Sequence, residues 1–188
     1  MIVFYNKMKL YFLTTFFCVF LTSCIIVEDI GVYWDKGVVD SSLQGSWAKD
    51  TACMEFVLDG KDYYVVYNGR KEERKYRTLT LGNNKFLMIT NEDNKTNEED
   101  QYILVKYKVF ADNFTTYKLD KTKKDVFIQE YPDANVIFSD GDHPVAIISH
   151  LDEKSAALLQ IIADDETYWK VDFVKHRVKE CKVSDAER

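Results

Sequence analysis

The sequence predicts an α+β domain, an antiparallel β-meander or small open barrel that is capped by a late helix. Two dipeptides that favour tight hairpin turns, Asp59-Gly60 and Asn68-Gly69, separate segments in which apolar and polar residues alternate. A helical period replaces this alternation only near the end of the chain, at 153–163. Because so little helix is available to cover the sheet, we expect the sheet to curl and protect its edges.

The predicted strands follow one another closely through the middle of the chain. The first begins near Trp47, and the next six lie at 52–58, 61–67, 70–81, 85–90, 101–110 and 114–119. Residues 121–131 fit either a short helix or a strand, and both alternatives remain open. Short buried strands are expected at 136–138 and 145–149, and a last strand over 168–183.

The late helix has a clear start signal and an apolar face. Asp152 stands directly before the helical pattern, where its carboxylate is suited to cap the first turn. Good helix formers fill the segment, and one face is predicted to carry Ala157, Leu158, Ile161 and Ile162. We expect this face to pack on the sheet.

The N-terminus has the layout of an export signal. Residues 1–23 contain no Asp or Glu, and Lys7 and Lys9 precede an apolar run over 10–21. Small residues follow and lead to Cys24. A short basic segment, an apolar stretch of this length and small residues at its end are typical of a secretory signal peptide.

Residues Leu21-Thr22-Ser23-Cys24 resemble the lipobox of bacterial lipoproteins. The resemblance implies that 1–23 is a signal peptide, that Cys24 is lipidated and becomes the mature N-terminus, and that the lipid on Cys24 holds the protein at a membrane. Ile25 is not the Asp that resembles an inner-membrane retention signal, which favours the outer membrane, facing the periplasm. Another cleaved signal or an uncleaved transmembrane helix stays open. After the signal we expect a tether over 24–42 and one β-rich domain over 43–188.

Two cysteines remain in the domain after Cys18 and Cys24 are accounted for. In an oxidising exported compartment, Cys53 and Cys181 are expected to form one disulfide. Such a bond would tie the first part of the domain to the last strand. The alternative is a pair of free, buried thiols.

Residues Leu43-Gln44-Gly45-Ser46-Trp47 resemble the Gly-x-Trp motif that begins the first strand of lipocalin-like barrels. In that family the tryptophan closes one end of the barrel and packs against an arginine of the final strand. The resemblance implies that Trp47 and Arg177 have these roles. The polar stretch at 91–100 departs from the family pattern.

The sequence carries no recognisable catalytic or metal-binding signature. It contains no Gly-x-Ser-x-Gly motif, Walker loop or dinucleotide fingerprint. The histidines His143, His150 and His176 do not have the spacing of helical metal ligands, and Asp140-Gly141-Asp142-His143 has the chemistry of a turn as well as of a cation site. We therefore expect no catalytic residue, no metal and no cofactor.

Composition and anchor together predict a function class. The net charge of −6 argues against a nucleic-acid binder that relies on bulk charge. We expect a lipid-anchored protein of the bacterial cell envelope that is not an enzyme and that acts as a binding module for a hydrophobic ligand or an envelope protein. The alternatives are a structural envelope lipoprotein with no small ligand, and an unrecognised hydrolase. The many aromatic residues of the strands either line a binding pocket or pack across strands.

Overall fold

The computed structural model describes residues 25–72, 74–90, 102–132, 136–138 and 146–181. Within these residues the strands are β1 (Ile25–Asp29), β2 (Gly45–Lys49), β3 (Ala52–Asp59), β4 (Asp62–Tyr67), β5 (Arg70–Lys71), β6 (Tyr76–Leu81), β7 (Asn84–Thr90), β8 (Tyr102–Phe110), β9 (Asn113–Leu119), β10 (Val136–Phe138), β11 (Ala146–His150) and β12 (Trp169–Val178). The helices are α1 (Tyr33–Lys36), α2 (Lys124–Glu130) and α3 (Glu153–Asp164), with 3₁₀ turns at Lys121–Lys123 and Glu166–Tyr168.

Eight of these strands form a closed antiparallel barrel, so the predicted α+β meander or open barrel is wrong. Around the barrel the order is β8, β7, β6, β4, β3, β2, β12 and β9, and the pairing of β9 with β8 closes the ring. Closure depends on β12, which pairs with β2 along one edge and with β9 along the other. Closing the ring removes both free edges, which an open sheet would leave exposed.

Four further strands lie outside the barrel: β5 pairs with β4, and β1, β11 and β10 extend the sheet beyond β8. β1 lies between β8 and β11, antiparallel to β8 and parallel to β11, and β10 pairs with the far edge of β11. β8 accommodates both neighbours because its first residues pair with β1 and its last residues pair with β9. From Ile25 onward, the described part of the predicted tether therefore forms β1 and α1 and belongs to the folded domain.

Local turn chemistry sets two hairpins, β3–β4 within the barrel and β4–β5 beside it. Asn68 and Gly69 both have positive φ, 47° and 82°, which matches the turn that two-residue hairpins favour. Gly60 has φ 63° between β3 and β4. These turns join neighbouring strands directly, so most of the barrel is built from contacts between adjacent segments of the chain.

Two apolar cores lie on opposite faces of the barrel wall. β7 shows this directly, because Leu87 and Ile89 belong to the inner core whereas Phe86 and Met88 belong to the outer core. The outer core is covered by α3 and by the segments around it. One wall of the barrel is thus buried on both faces.

The late helix α3 caps the barrel, and Asp152 caps the helix. The Asp152 carboxylate accepts a hydrogen bond from the Ser155 amide at 2.7 Å, and the Ser155 hydroxyl accepts one from the Asp152 amide at 2.9 Å. The predicted apolar face is wrong by part of a turn. Leu158 packs against the core and Ile162 is buried, whereas Ile161 is 53% exposed and Ala157 is exposed. The buried face consists of Ala156, Leu159, Ile162 and Ala163.

Residues 121–131, left open between helix and strand, form the 3₁₀ turn and α2. Phe127 is the buried residue of α2 and packs on Tyr131 and Tyr168 at centroid separations of 5.3 and 6.1 Å. No helix among the described residues has the length and apolarity needed to cross a membrane.

Candidate functional site

Aromatic side chains fill the interior of the barrel. Phe56 lies at its centre, with ring centroids 6.0 Å from Tyr63, 6.0 Å from Tyr76 and 5.8 Å from Phe114, each in an edge-to-face arrangement. An eight-stranded barrel is just wide enough for side chains to fill it. Of the two readings of the aromatic residues, cross-strand packing applies to this set, and the barrel interior is a core rather than a pocket.

Trp47 and Arg177 meet at one end of the barrel. The Arg177 guanidinium lies 4.2 Å from the centroid of the fully buried Trp47 ring, and it donates to the carbonyls of Ser42 and Gln44 at 2.8 and 2.9 Å. The Trp47 indole donates to the Leu43 carbonyl at 2.7 Å. These contacts hold residues 42–44 across the barrel end.

Gly45 makes this close approach possible. Its φ is +112°, a conformation that favours glycine, and an added Cβ would lie 3.2 Å from an Arg177 guanidinium nitrogen. Glycine at this position therefore allows Arg177 to reach the carbonyls of Ser42 and Gln44.

A polar network is centred on Asp40, close in sequence to the residues 42–44 that Arg177 holds. The Asp40 carboxylate accepts hydrogen bonds from Tyr107 at 2.8 Å, Lys85 at 2.7 Å and Ser42 at 2.7 Å. Burial opposes ionisation of Asp40, but these hydrogen bonds outweigh it and hold its pKa below the ordinary value. Because these partners already engage its carboxylate, we assign Asp40 a role in holding residues 42–44 at the barrel end.

Cys53 and Cys181 are joined by a disulfide in the structure, with Cα atoms 5.6 Å apart. Cys53 lies in β3, and Cys181 follows β12 by three residues. In the barrel, β2 lies between β3 and β12. The bond therefore links the residues after β12 to β3 across β2.

An apolar recess opens outside the barrel, between α2, α3 and the first residues of β1 and β11. It is shallow: the space that it encloses is about 30 Å³, and the larger empty volume of about 450 Å³ around its lining includes open solvent. The apolar lining residues are Ile25, Leu119, Phe127, Ala146, Ile148, Leu158, Leu159, Ile162 and Tyr168. Asp120, Lys123, Lys124 and Ser155 complete the lining. Small-molecule pockets usually enclose about 300–1,000 Å³, so a ligand of this recess would lie along its apolar surface rather than inside a cavity.

Two of the polar residues of the recess, Asp120 and Ser155, are tied to the surrounding structure. Asp120 pairs with Lys170 at 2.9 Å, and although burial works against ionisation, this pair and hydrogen bonds from Thr122 lower the pKa of Asp120. The Ser155 hydroxyl donates to the His150 carbonyl at 2.9 Å as part of the helix cap. The recess therefore offers apolar contacts, with Lys123 and Lys124 at its border.

No family model, curated protein or solved structure matches this chain. The assignment of a site therefore depends on the geometry of the chain itself.

The histidines of the described residues lie on the surface. His150 pairs with Asp29 at 2.6 Å, and both side chains are more than half exposed. His176 is hydrogen-bonded to Asn113. No group of three or more His, Cys, Asp or Glu residues in the described part of the chain is placed to hold a metal ion. His143, its neighbours in the predicted turn and the acidic stretch 91–100 lie outside the described residues.

Cys24 also lies outside the described residues, but its neighbour does not. Ile25 begins β1, is 3% exposed and lines the recess. Sequence reasoning missed the recess because its walls come from β1, α2 and α3, which are distant in the chain. The one available signal was the apolar character of Ile25 and Ile26 directly after Cys24.

Lys106 is a buried lysine that holds α3 on the outer wall of the barrel. It is 2% exposed, its ammonium donates to the Ala163 carbonyl at 2.5 Å, and it lies 4.7 Å from the centroid of the Trp169 ring. Ala163 belongs to the last turn of α3, where free carbonyls favour a cation. Burial, followed by repulsion from Lys108, lowers the pKa of Lys106 to about 8.

We expect this lysine to make stability depend on pH. The unfolded chain holds the proton more tightly than the folded protein, so the free energy of unfolding rises as pH increases from about 8 to about 10.5. At about 1.4 kcal/mol per pKa unit, the gain is on the order of 3 kcal/mol. Urea unfolding should show wild type gaining this stability relative to Lys106→Met across that range.

Lys108→Met is the matched control, because Lys108 is half exposed and pairs with Glu166 on the surface. This variant should retain most of the pH dependence. Parallel curves for wild type and Lys106→Met between pH 8 and 10.5 would show that the pKa of Lys106 is not lowered in the folded protein.

Proposed function

We propose that the chain is a lipid-anchored protein of the bacterial cell envelope that binds apolar chains in the recess between α2 and α3. The observation that carries this proposal is the contrast between the two apolar regions. The barrel interior is filled by rings such as Phe56 and Phe114, whereas the recess outside it is open and is lined by apolar residues. A binding module built on this frame would therefore use the outer surface of the barrel.

The anchor is the second part of the proposal and comes from the resemblance of residues 21–24 to a lipobox. Lipid on Cys24 would hold the domain at a membrane, and we favour the outer membrane facing the periplasm. Since Ile25 is already part of the sheet, the domain would lie directly against the membrane surface rather than at the end of a long tether.

The Gly-x-Trp resemblance favours a lipocalin-like barrel, and the contacts of Trp47 with Arg177 support this interpretation. The proposed binding site differs from the barrel cavity that a ligand-carrying barrel of this kind would use. The filled interior supports placing the ligand outside, with Leu158 and Phe127 as its walls.

The binding proposal is tested with protein that begins at residue 25 and carries no lipid. We expect saturable fluorescence enhancement of cis-parinaric acid, a fatty acid with a conjugated tail. Leu158→Trp should weaken binding by about tenfold or more, because the larger ring occupies the recess. Fluorescence titration measures both affinities.

Ile161→Trp is the matched control, since Ile161 lies on the same helix but is 53% exposed and does not line the recess. Its affinity should match that of wild type. Absence of saturable binding by the wild-type domain would favour the alternative of a structural envelope lipoprotein with no small ligand. Equal loss in both tryptophan variants would place the fatty acid elsewhere.

A further inference from the structure

We infer that the protein turns the recess toward the bilayer to which it is anchored, so that the outer surfaces of α2 and α3 contact lipid. This inference rests on the proposed function, because it requires an anchor ahead of β1. It adds which surface of the domain meets the bilayer. Exposed apolar residues, the shallow shape of the recess and the position of β1 support it.

Large apolar side chains are exposed on both helices beside the recess. Ile128 of α2 is 46% exposed, and Ile161 of α3 is 53% exposed. Ile128 lies four residues after Lys124, Ile161 lies three residues after Leu158, and both of these earlier residues line the recess. Helical residues at these spacings are neighbours on one face. The two isoleucines therefore continue the apolar lining onto the outer surface, and together with the lining they form what we call the lipid face.

The lipid face is shallow, which suits a bilayer. The recess encloses about 30 Å³, close to the volume that one water molecule takes in the liquid. Helices that lie on a membrane bury their apolar side about 5–10 Å into the boundary between headgroups and acyl chains, and they need no cavity to do so. Contact with lipid would remove the exposed isoleucines and the apolar lining from water.

Lysines stand at the edge of the lipid face. Lys123 and Lys124 border the recess, and Lys154 is exposed on α3, four residues before Leu158. A lysine stem can lie along an apolar surface while its ammonium reaches the lipid phosphates. Asp165 lies close enough to Lys123 for the two charges to interact, which offsets part of this positive charge. Apolar contact would therefore contribute most of the attraction to the bilayer.

β1 places the entry of the chain at the lipid face. Ile25, the first residue of β1, is 3% exposed and lines the recess. It pairs with Leu104 of β8 on one side and with Ala146 of β11 on the other, so the start of β1 is held beside the recess. An anchor ahead of β1 would join the domain at this point. The lipid face would then lie next to the bilayer, and the opposite wall of the barrel would face away.

The test uses the full chain in the membranes of the producing cells. The photoreactive amino acid p-benzoylphenylalanine replaces Ile128 in one variant, Ile161 in a second and Leu58 in a third. Leu58 is the matched control, because it is 42% exposed but lies in β3, four strands from β8 around the barrel. After irradiation, mass spectrometry of the purified protein identifies the crosslinked molecules. We expect at least about fivefold more phospholipid adducts at positions 128 and 161 than at position 58, because only the lipid face would reach the acyl boundary.

Membrane fractionation of the same cells separates this inference from the proposed anchor. Membrane-bound protein with equal phospholipid adducts at the three positions, or with adducts only at position 58, would overturn the inference and leave the anchor intact. Crosslinks from positions 128 and 161 to a second copy of the chain or to another protein would also overturn it, and would identify that protein as the occupant of the lipid face. Protein that separates from the membranes would remove the anchor itself, and the inference with it.

Discussion

Trp47→Ala should lower the free energy of unfolding by about 3–5 kcal/mol, the usual range for a large aromatic residue removed from a core. Trp47 is fully buried and contacts Phe114 at a centroid separation of 5.7 Å. Its loss would also remove the surface on which Arg177 packs and the hydrogen bond to the Leu43 carbonyl. Urea unfolding followed by circular dichroism measures the change.

Arg177→Lys tests the other partner of the Trp47–Arg177 contact at the barrel end. Lysine keeps the positive charge but lacks the planar group that stacks on Trp47 and donates to two carbonyls at once. The free energy of unfolding should fall by less than in Trp47→Ala, by about 1–2 kcal/mol, because a stacked cation and a surface hydrogen bond each contribute about that or less. If Trp47→Ala retained wild-type stability, the contact between Trp47 and Arg177 would not stabilise the barrel.

Removing the disulfide should lower the free energy of unfolding by about 2–5 kcal/mol. Cys53 and Cys181 are 128 residues apart in sequence, and closing so long a loop strongly restricts the unfolded chain in the entropic model. The double variant Cys53→Ser/Cys181→Ser should unfold at a lower urea concentration than oxidised wild type.

Reductant provides the internal control for this prediction. Wild type with dithiothreitol should approach the stability of the double variant, and the double variant itself should not respond to dithiothreitol. Equal stability of oxidised and reduced wild type would show that the bond does not stabilise the fold. Free thiols in protein isolated from the exported fraction would argue that the bond does not form in the cell.

The local elements of this fold follow from the sequence because short-range chemistry decides them. Asn68-Gly69 can adopt two successive positive φ angles at little steric cost, so the hairpin there needs no distant partner. Asp152 caps α3 through the amide of Ser155, only three residues away. The predicted buried face of α3 is partly wrong, because Ala157 and Ile161 are apolar but face solvent. Only the position of the barrel wall decides which apolar residues of the helix are buried.

The sequence by itself therefore determined most strands of the barrel, the turn at Asn68-Gly69 and the late helix, but it missed β1 and predicted one strand over 70–81 where β5 and β6 are separate. Only the tertiary structure decided that β12 pairs with both β2 and β9 and so closes the barrel. It also decided that Ile25, Phe127 and Leu158 border one recess. Both arrangements join segments far apart in the chain, and no local propensity or spacing encodes which distant surfaces bury one another.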